Sequence, residues 1–94
     1  MGGKEILVIS SHREATLVVV TLVGELDMAG TAPLATEVQR ALSDPTTDAL
    51  EIDMHGLSFA DSAGLQAILA AQEATRLAGV AFPDVRRVVH RTAL

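Results

Sequence analysis

The sequence predicts an α/β domain in which helices pack on a mostly parallel sheet. Three features carry that expectation. The run from Thr16 to Val23 is rich in β-branched residues and apolar on both faces, as a strand in the middle of a sheet requires. Ala49 to Met54 alternates, with Leu50, Ile52 and Met54 on one side and Glu51 and Asp53 on the other, which is the period of a strand. Between and after these two runs lie segments of helical period. Strand and helix patterns therefore alternate, and no repeat, low-complexity tract or linker separates them.

Taken in order, Lys4 to Ser10 is a short apolar run containing Ile6, Val8 and Ile9, and it reads as a first strand. Ser11 to Ala15 is polar and turn-like. The Thr16–Val23 strand ends at Gly24. Leu34, Val38, Ala41 and Leu42 then recur at helical spacing with Glu37, Gln39 and Arg40 turned away, and Thr31 and Pro33 are favourable starting residues. Asp44-Pro45-Thr46-Thr47-Asp48 is a turn leading into the Ala49–Met54 strand. The next helix runs from Ala63 to Ala78, with Leu65, Ile68, Leu69 and Leu77 at helical intervals and Gly79 as a stop. Only Val80-Ala81-Phe82 precedes Pro83. Three residues fall short of the usual strand length of ~5–6, so a vestigial edge strand or an irregular crossing is expected there. A short last helix follows from Asp84, with Val85, Val88 and Val89 inward and Arg86, Arg87, His90 and Arg91 outward.

A chain of 94 residues is one domain. Hydrophobic residues make up 49% and mean hydropathy is +0.36, enough to supply a folded core. That core is aliphatic, because Phe59 and Phe82 are the only aromatic residues, which argues against a stacking platform for single-stranded nucleic acid. Seven basic against twelve acidic residues give a net charge of −5, the wrong sign for a general binder of phosphate backbones. With no cysteine, disulfides and thiolate metal sites are excluded, in keeping with a reducing cytoplasm. The longest apolar run, Leu17 to Val20, is far below the ~20 residues of a membrane span, and the start of the chain lacks a signal-peptide layout. The expectation is a cytoplasmic protein with no membrane insertion and no direct contact with nucleic acid.

The stretch Asp53-Met54-His55-Gly56-Leu57-Ser58-Phe59-Ala60-Asp61-Ser62-Ala63-Gly64-Leu65 is the most telling. It reads as a strand end, a tight loop in which Gly56 serves the turn and Ser58 lies on the approach, and a serine where the next helix begins. A hydroxyl at a helix N-terminus sits beside unpaired N–H groups and the positive end of the helix dipole, so it tolerates a phosphate well. Taken from the residues alone, Ser62 as a helix cap is the plainer reading, and the two are compatible. Asp61 is likewise favourable at a helix start, and Asp27 fits a turn or cap as well as a functional place. Asp53 suits a solvated or turn-bonding side chain. Gly64 in a first helical turn points to close approach of a neighbour or a partner. Asp27, Asp53 and Asp61 have no spacing diagnostic of magnesium, and His12, His55 and His90 are scattered without metal-ligand spacing and read as exposed. Ala60-Asp61-Ser62-Ala63-Gly64 also resembles a degenerate nucleophile elbow, with Asp84 and His90 following in hydrolase order. The chain is too short for such a sheet, however, and no Gly-rich oxyanion loop precedes the serine.

The same stretch, together with Gly24-Glu25-Leu26-Asp27 followed by Thr31-Ala32-Pro33-Leu34, resembles the STAS domain of bacterial anti-sigma-factor antagonists. Pro83-Asp84-Val85-Arg86-Arg87-Val88-Val89 with Thr92 is a weaker match to the last helix of that family. The resemblance implies a small mixed sheet of about four strands over residues 1–94, with the C-terminal part shortened. It also implies that the protein is not an enzyme. Ser62 would be the phospho-acceptor, and Asp27, Asp61, Ser62, Ala63, Gly64 and Gln66 would meet the partner. That partner would be an anti-sigma factor with serine kinase activity, with a serine phosphatase to reset the switch. No cofactor of its own is implied, since ATP and magnesium belong to the kinase. STAS domains also serve as accessory subunits of membrane transport systems and as parts of stress-signalling scaffolds, which is the alternative reading.

Overall fold

The computed structural model describes residues 6–82. Strands β1 (Val8–Glu14) and β2 (Leu17–Leu26) form an antiparallel hairpin. A 3-10 turn, η1 (Met28–Gly30), and helix α1 (Thr31–Leu42) then carry the chain across to β3 (Ala49–Ala60), which lies parallel to β2. Helix α2 (Ser62–Leu77) follows directly. The sheet order is β1-β2-β3, and α1 and α2 pack beside each other against the sheet.

Period-2 alternation places Val18, Val20, Leu22 and Leu26 of β2 and Leu50, Ile52 and Met54 of β3 in one core, and the two register shifts of β3 bring Leu57 and Ala60 into it as well. Leu34, Val38 and Ala41 of α1 and Ile68 and Ala71 of α2 close it. Each fully buried Leu or Ile is worth about 2 kcal/mol in area removed from water, so β2, shielded along nearly its whole length, anchors the fold.

β1 extends through Ser11–Glu14, where the sequence reads as a turn. The ladder to β2 supplies main-chain hydrogen bonds whatever the side chains, and the polar ones find partners. Ser11 Oγ donates to the Glu37 carboxylate at 2.6 Å, and Arg13 reaches Asp44 at 3.0 Å and the Thr47 hydroxyl at 2.9 Å. The Asp44 carboxyl is held below the usual carboxylate range, chiefly by the Thr46 backbone N–H and hydroxyl and then by the Arg13 charge. The turn itself is at Ala15, whose φ of 58° is unusual for a residue with a Cβ.

β2 also runs on, through Gly24 to Leu26. Gly24 has φ +110°, and a Cβ there would lie 2.3 Å from the Ile6 carbonyl oxygen, so only glycine lets the strand pass. β3 continues past Met54 to Ala60, in place of the expected loop. Two register shifts against β2 accommodate its 12 residues beside the 10 of β2. Gly56 sits at the first shift, with Val23 Cγ2 2.8 Å from where its Cβ would be, and Ser58 lies inside the strand with its Oγ 3.2 Å from the Gly24 carbonyl.

The inward face of α2 is Gly64, Ile68, Ala71 and Thr75, and Leu65 packs against the core's rim. Leu69 and Leu77, expected inside, are 59% and 71% exposed. Small residues win the inner face because the helix lies close to the sheet. Thr75 can be fully buried there because its hydroxyl donates to the Ala71 carbonyl at 2.7 Å. Gly79, with φ +76°, ends the helical segment as expected. Beyond it the expected short edge strand is a single parallel bridge, Ala81 to Ala49, held by Leu50 N–H to Ala81 O at 2.9 Å and Ala81 N–H to Asp48 O at 3.0 Å. The helix expected from Asp84, with Val85, Val88, Val89 and His90, lies outside the described residues.

Candidate functional site: the strand ends and the start of α2

β2 and β3 run parallel and finish level, with Leu26 opposite Ala60. The next residue of each strand is an aspartate, and each opens a helical turn. Asp27 Oδ1 accepts from the Ala29 N–H at 3.0 Å and starts η1. Asp61 Oδ1 accepts from the Gly64 N–H at 2.8 Å and starts α2, while the Asp61 carbonyl takes the Leu65 N–H at 2.9 Å. The Asp61 N–H in turn donates to the Leu26 carbonyl at 3.2 Å, tying the two strand ends together. Leu26 is thus a positioning residue that the sequence does not announce, because what matters is its carbonyl and not its side chain.

The capping role falls to Asp61. Ser62 is the first residue of α2 and is exposed, and its hydroxyl has no hydrogen-bond partner among the described residues. With Gly64 and Leu65 satisfied by Asp61, the amides of Ser62 and Ala63 carry the remaining first-turn donors. Ala63 is half-buried, and Gln66, four residues on from Ser62, is exposed on the same side of the helix. Gly64 faces inward. A Cβ on it would lie 2.3 Å from the Leu26 carbonyl oxygen, so the close neighbour anticipated for this glycine is β2, and Gly64 acts on the surface through the seat it gives Ser62.

Among the described residues, the charged groups at this end are acidic: Asp61 directly precedes Ser62 and Asp27 follows the neighbouring strand end, whereas Arg40 and Arg76 stand in the last turns of their helices and Arg13 beside the start of β2. An ion pair on α2, Arg76 with Glu73, lies near the helix C-terminus. There the shared hydrogen bonds hold the Glu73 carboxyl below its ordinary value and push the Arg76 guanidinium above its own.

Asp53 is not part of the group. It lies back along β3, before both register shifts, and bonds its own neighbourhood: its Oδ1 accepts the His55 N–H at 2.9 Å and lies 3.0 Å from the His55 ring. Among the described residues no cluster of His, Asp or Glu has the geometry to hold a metal ion. His12 and His55 are both exposed, as expected, and neither lies beside Ser62 in a triad arrangement.

The family described as "Mlab, STAS domain" matches residues 9–94. The chain belongs to the STAS domain family. Its fold is that of other STAS structures. An anti-sigma factor antagonist from Mycobacterium paratuberculosis is 26% identical with a TM-score of 0.66, over 72% of this chain and 57% of that one. The chain thus spans little more than half the length of that relative. SpoIIAA in its unphosphorylated form is 19% identical with a TM-score of 0.65, over 82% of this chain and 69% of that one. The Bacillus cell fate determinant SpoIIAA in its phosphorylated form is 20% identical with a TM-score of 0.66, over 80% and 68%. At such identities the SpoIIAA likeness is one of fold. No curated protein matches the sequence significantly. Among the described residues no helix is long and apolar enough to cross a membrane.

Proposed function

We propose that this STAS domain is an anti-sigma-factor antagonist switched by phosphorylation of Ser62. The observation that carries the reading is the division of labour at the start of α2: Asp61 caps the helix, which leaves the Ser62 hydroxyl exposed and unengaged. Unphosphorylated, the domain docks on an anti-sigma factor of the ATP-dependent serine-kinase type through the exposed residues around Ser62, and the sigma factor is released. The kinase then transfers the γ-phosphoryl group: the terminal P–O bond of ATP breaks, the Ser62 Oγ–P bond forms, the hydroxyl proton passes to a base of the kinase, and ADP leaves. A serine phosphatase hydrolyses the ester and resets the switch. The domain is a substrate here and not a catalyst, and it works in the cytoplasm, where its partners are.

The phosphate adds roughly −1.5 to −2 charges. The helix start itself accepts that charge, through the dipole and the first-turn amides. The cost falls on the complex, where a surface shaped around a neutral hydroxyl beside Asp61 must accommodate a dianion. A loss of ~3 kcal/mol lowers affinity by about two orders of magnitude. The test combines radiolabelled ATP, candidate kinase anti-sigma factors and calorimetry. Label is expected on Ser62 and none on Ser62→Ala. Ser62→Ala is expected to bind at the parent level while Ser62→Asp fails to bind. Label persisting in Ser62→Ala, or equal affinities for the two variants, overturns the proposal. The accessory-subunit reading keeps the same docking end and drops the phosphate. It predicts an unlabelled Ser62 and co-purification with a transporter ATPase.

A further inference from the structure

Beside the Ser62 surface lies a second feature with no place in the switch. An open cleft of about 560 Å³ separates the start of β1 from the start of α1. Its lining is mainly apolar, from Ile6, Leu7, Ile9, Ala29, Gly30 and Pro33, and the carboxylates of Glu25 and Asp27 line it as well. Its floor depends on Gly30: a Cβ there would stand 2.6 Å from Leu7 Cδ2 and 2.9 Å from Leu26 Cδ1, so any larger residue would displace the packing beneath the cleft. Ile6 on its wall and Met28 on the neighbouring turn are both largely exposed, which makes this corner more apolar than a solvated loop end requires.

We propose that this cleft receives an apolar side chain of the same anti-sigma factor that engages Ser62, so that affinity and switching occupy adjacent but separate parts of one docking surface. The inference rests on the function proposed above. Its occupant follows from position and area. Asp27, in the cleft's lining, and Asp61, before Ser62, each directly follow a residue of the Leu26–Ala60 pair. Neighbouring strands stand ~4.8 Å apart. A specific interface covers about 800 Å² per partner, a disc of roughly 16 Å radius. A protein seated on Ser62 with that footprint therefore covers the cleft as well. The lining then sets what enters: its apolar walls accept an aliphatic or aromatic side chain, and the Glu25 and Asp27 carboxylates disfavour an acidic one.

The chain has no cysteine, so single introduced thiols report on the surface without background. Ala29→Cys sits on the cleft wall, and Pro45→Cys, on the turn before β3 at the opposite end of the strands, serves as control. Each is labelled with a maleimide, free and in the presence of a purified serine-kinase anti-sigma factor with ADP. Ala29→Cys is expected to react about tenfold more slowly in the complex while Pro45→Cys keeps its rate. Ala29→Glu is expected to raise Kd about tenfold, the loss typical of one well-buried contact. If the parent binds and is phosphorylated but Ala29→Cys labels equally fast in both states, or Ala29→Glu keeps the parent Kd, the cleft proposal fails and the switch stands. If the parent neither binds nor accepts phosphate from any such kinase, both fail.

Discussion

Replacing Gly64 by alanine puts a methyl group against the least yielding part of the site. The new Cβ would lie 2.3 Å from the Leu26 carbonyl oxygen, 2.9 Å from Leu26 Cγ and 3.0 Å from the Leu26 carbonyl carbon. Ordinary carbon–oxygen contact is ~3.3 Å or more, so the start of α2 has to retreat by about 1 Å. Leu26 cannot give way instead, because its side chain is fully buried and its carbonyl holds the Asp61 N–H. Overpacking of this kind costs about 1–3 kcal/mol. A retreat of 1 Å also stretches the 2.8 Å cap from Asp61 to Gly64 beyond hydrogen-bonding distance, adding ~1 kcal/mol. Against these stands the gain in helix propensity of alanine over glycine, at most ~1 kcal/mol. The net expectation is a loss of about 2 kcal/mol in urea unfolding followed by circular dichroism. If Ser62 is the phospho-acceptor proposed above, its phosphorylation should slow as well, because the serine moves with the helix. A Gly64→Ala domain as stable as the parent would show that the strand end is not the fixed seat of the helix.

Two further outcomes follow from the same geometry. Asp61→Ala removes the only side-chain cap of α2 and should cost about 1 kcal/mol in the same unfolding experiment, whereas Asp61→Asn, which keeps the acceptor oxygen, should recover most of it. Ala15→Gly relieves a left-handed residue in the β1–β2 turn and should stabilise the domain by up to ~1 kcal/mol; an unchanged or lower midpoint would mean that the turn carries no strain.

The sequence was readable where side-chain period and burial coincide. Leu50, Ile52 and Met54 alternate into the core and mark β3, and Leu34, Val38 and Ala41 mark α1, because in both the buried face carries the large apolar residues. It misled where main chain decides. Ser11 to Glu14 form a strand through β2's ladder, and no apolar periodicity shows it. Past Met54 each register shift breaks the period-2 phase, so His55-Gly56-Leu57-Ser58 looks like a loop although it is paired. In α2 the inner face is Gly64, Ala71 and Thr75 as much as Ile68, and a search for large hydrophobics selects Leu69 and Leu77 instead. At the site, the helix start and the serine were legible to within one residue. The assignment of the cap to Asp61 depends on a backbone bond from Gly64 and lies below the resolution of a motif.

The two register shifts in β3 have a consequence for how this surface tolerates changes in chain length. Because Leu26 and Ala60 close the ladder together, the height of Ser62 is referenced to the end of β2 and not counted from the beginning of β3. The surplus of β3 over β2 works like slack in a belt. A residue lost between Met54 and Phe59 can be taken up by flattening one bulge, with the pairing before and after left in place. Insertions and deletions there change the curvature of the strand and spare the alignment of Asp27 with Asp61, so the surface around Ser62 and the length of the strand beneath it are free to vary separately.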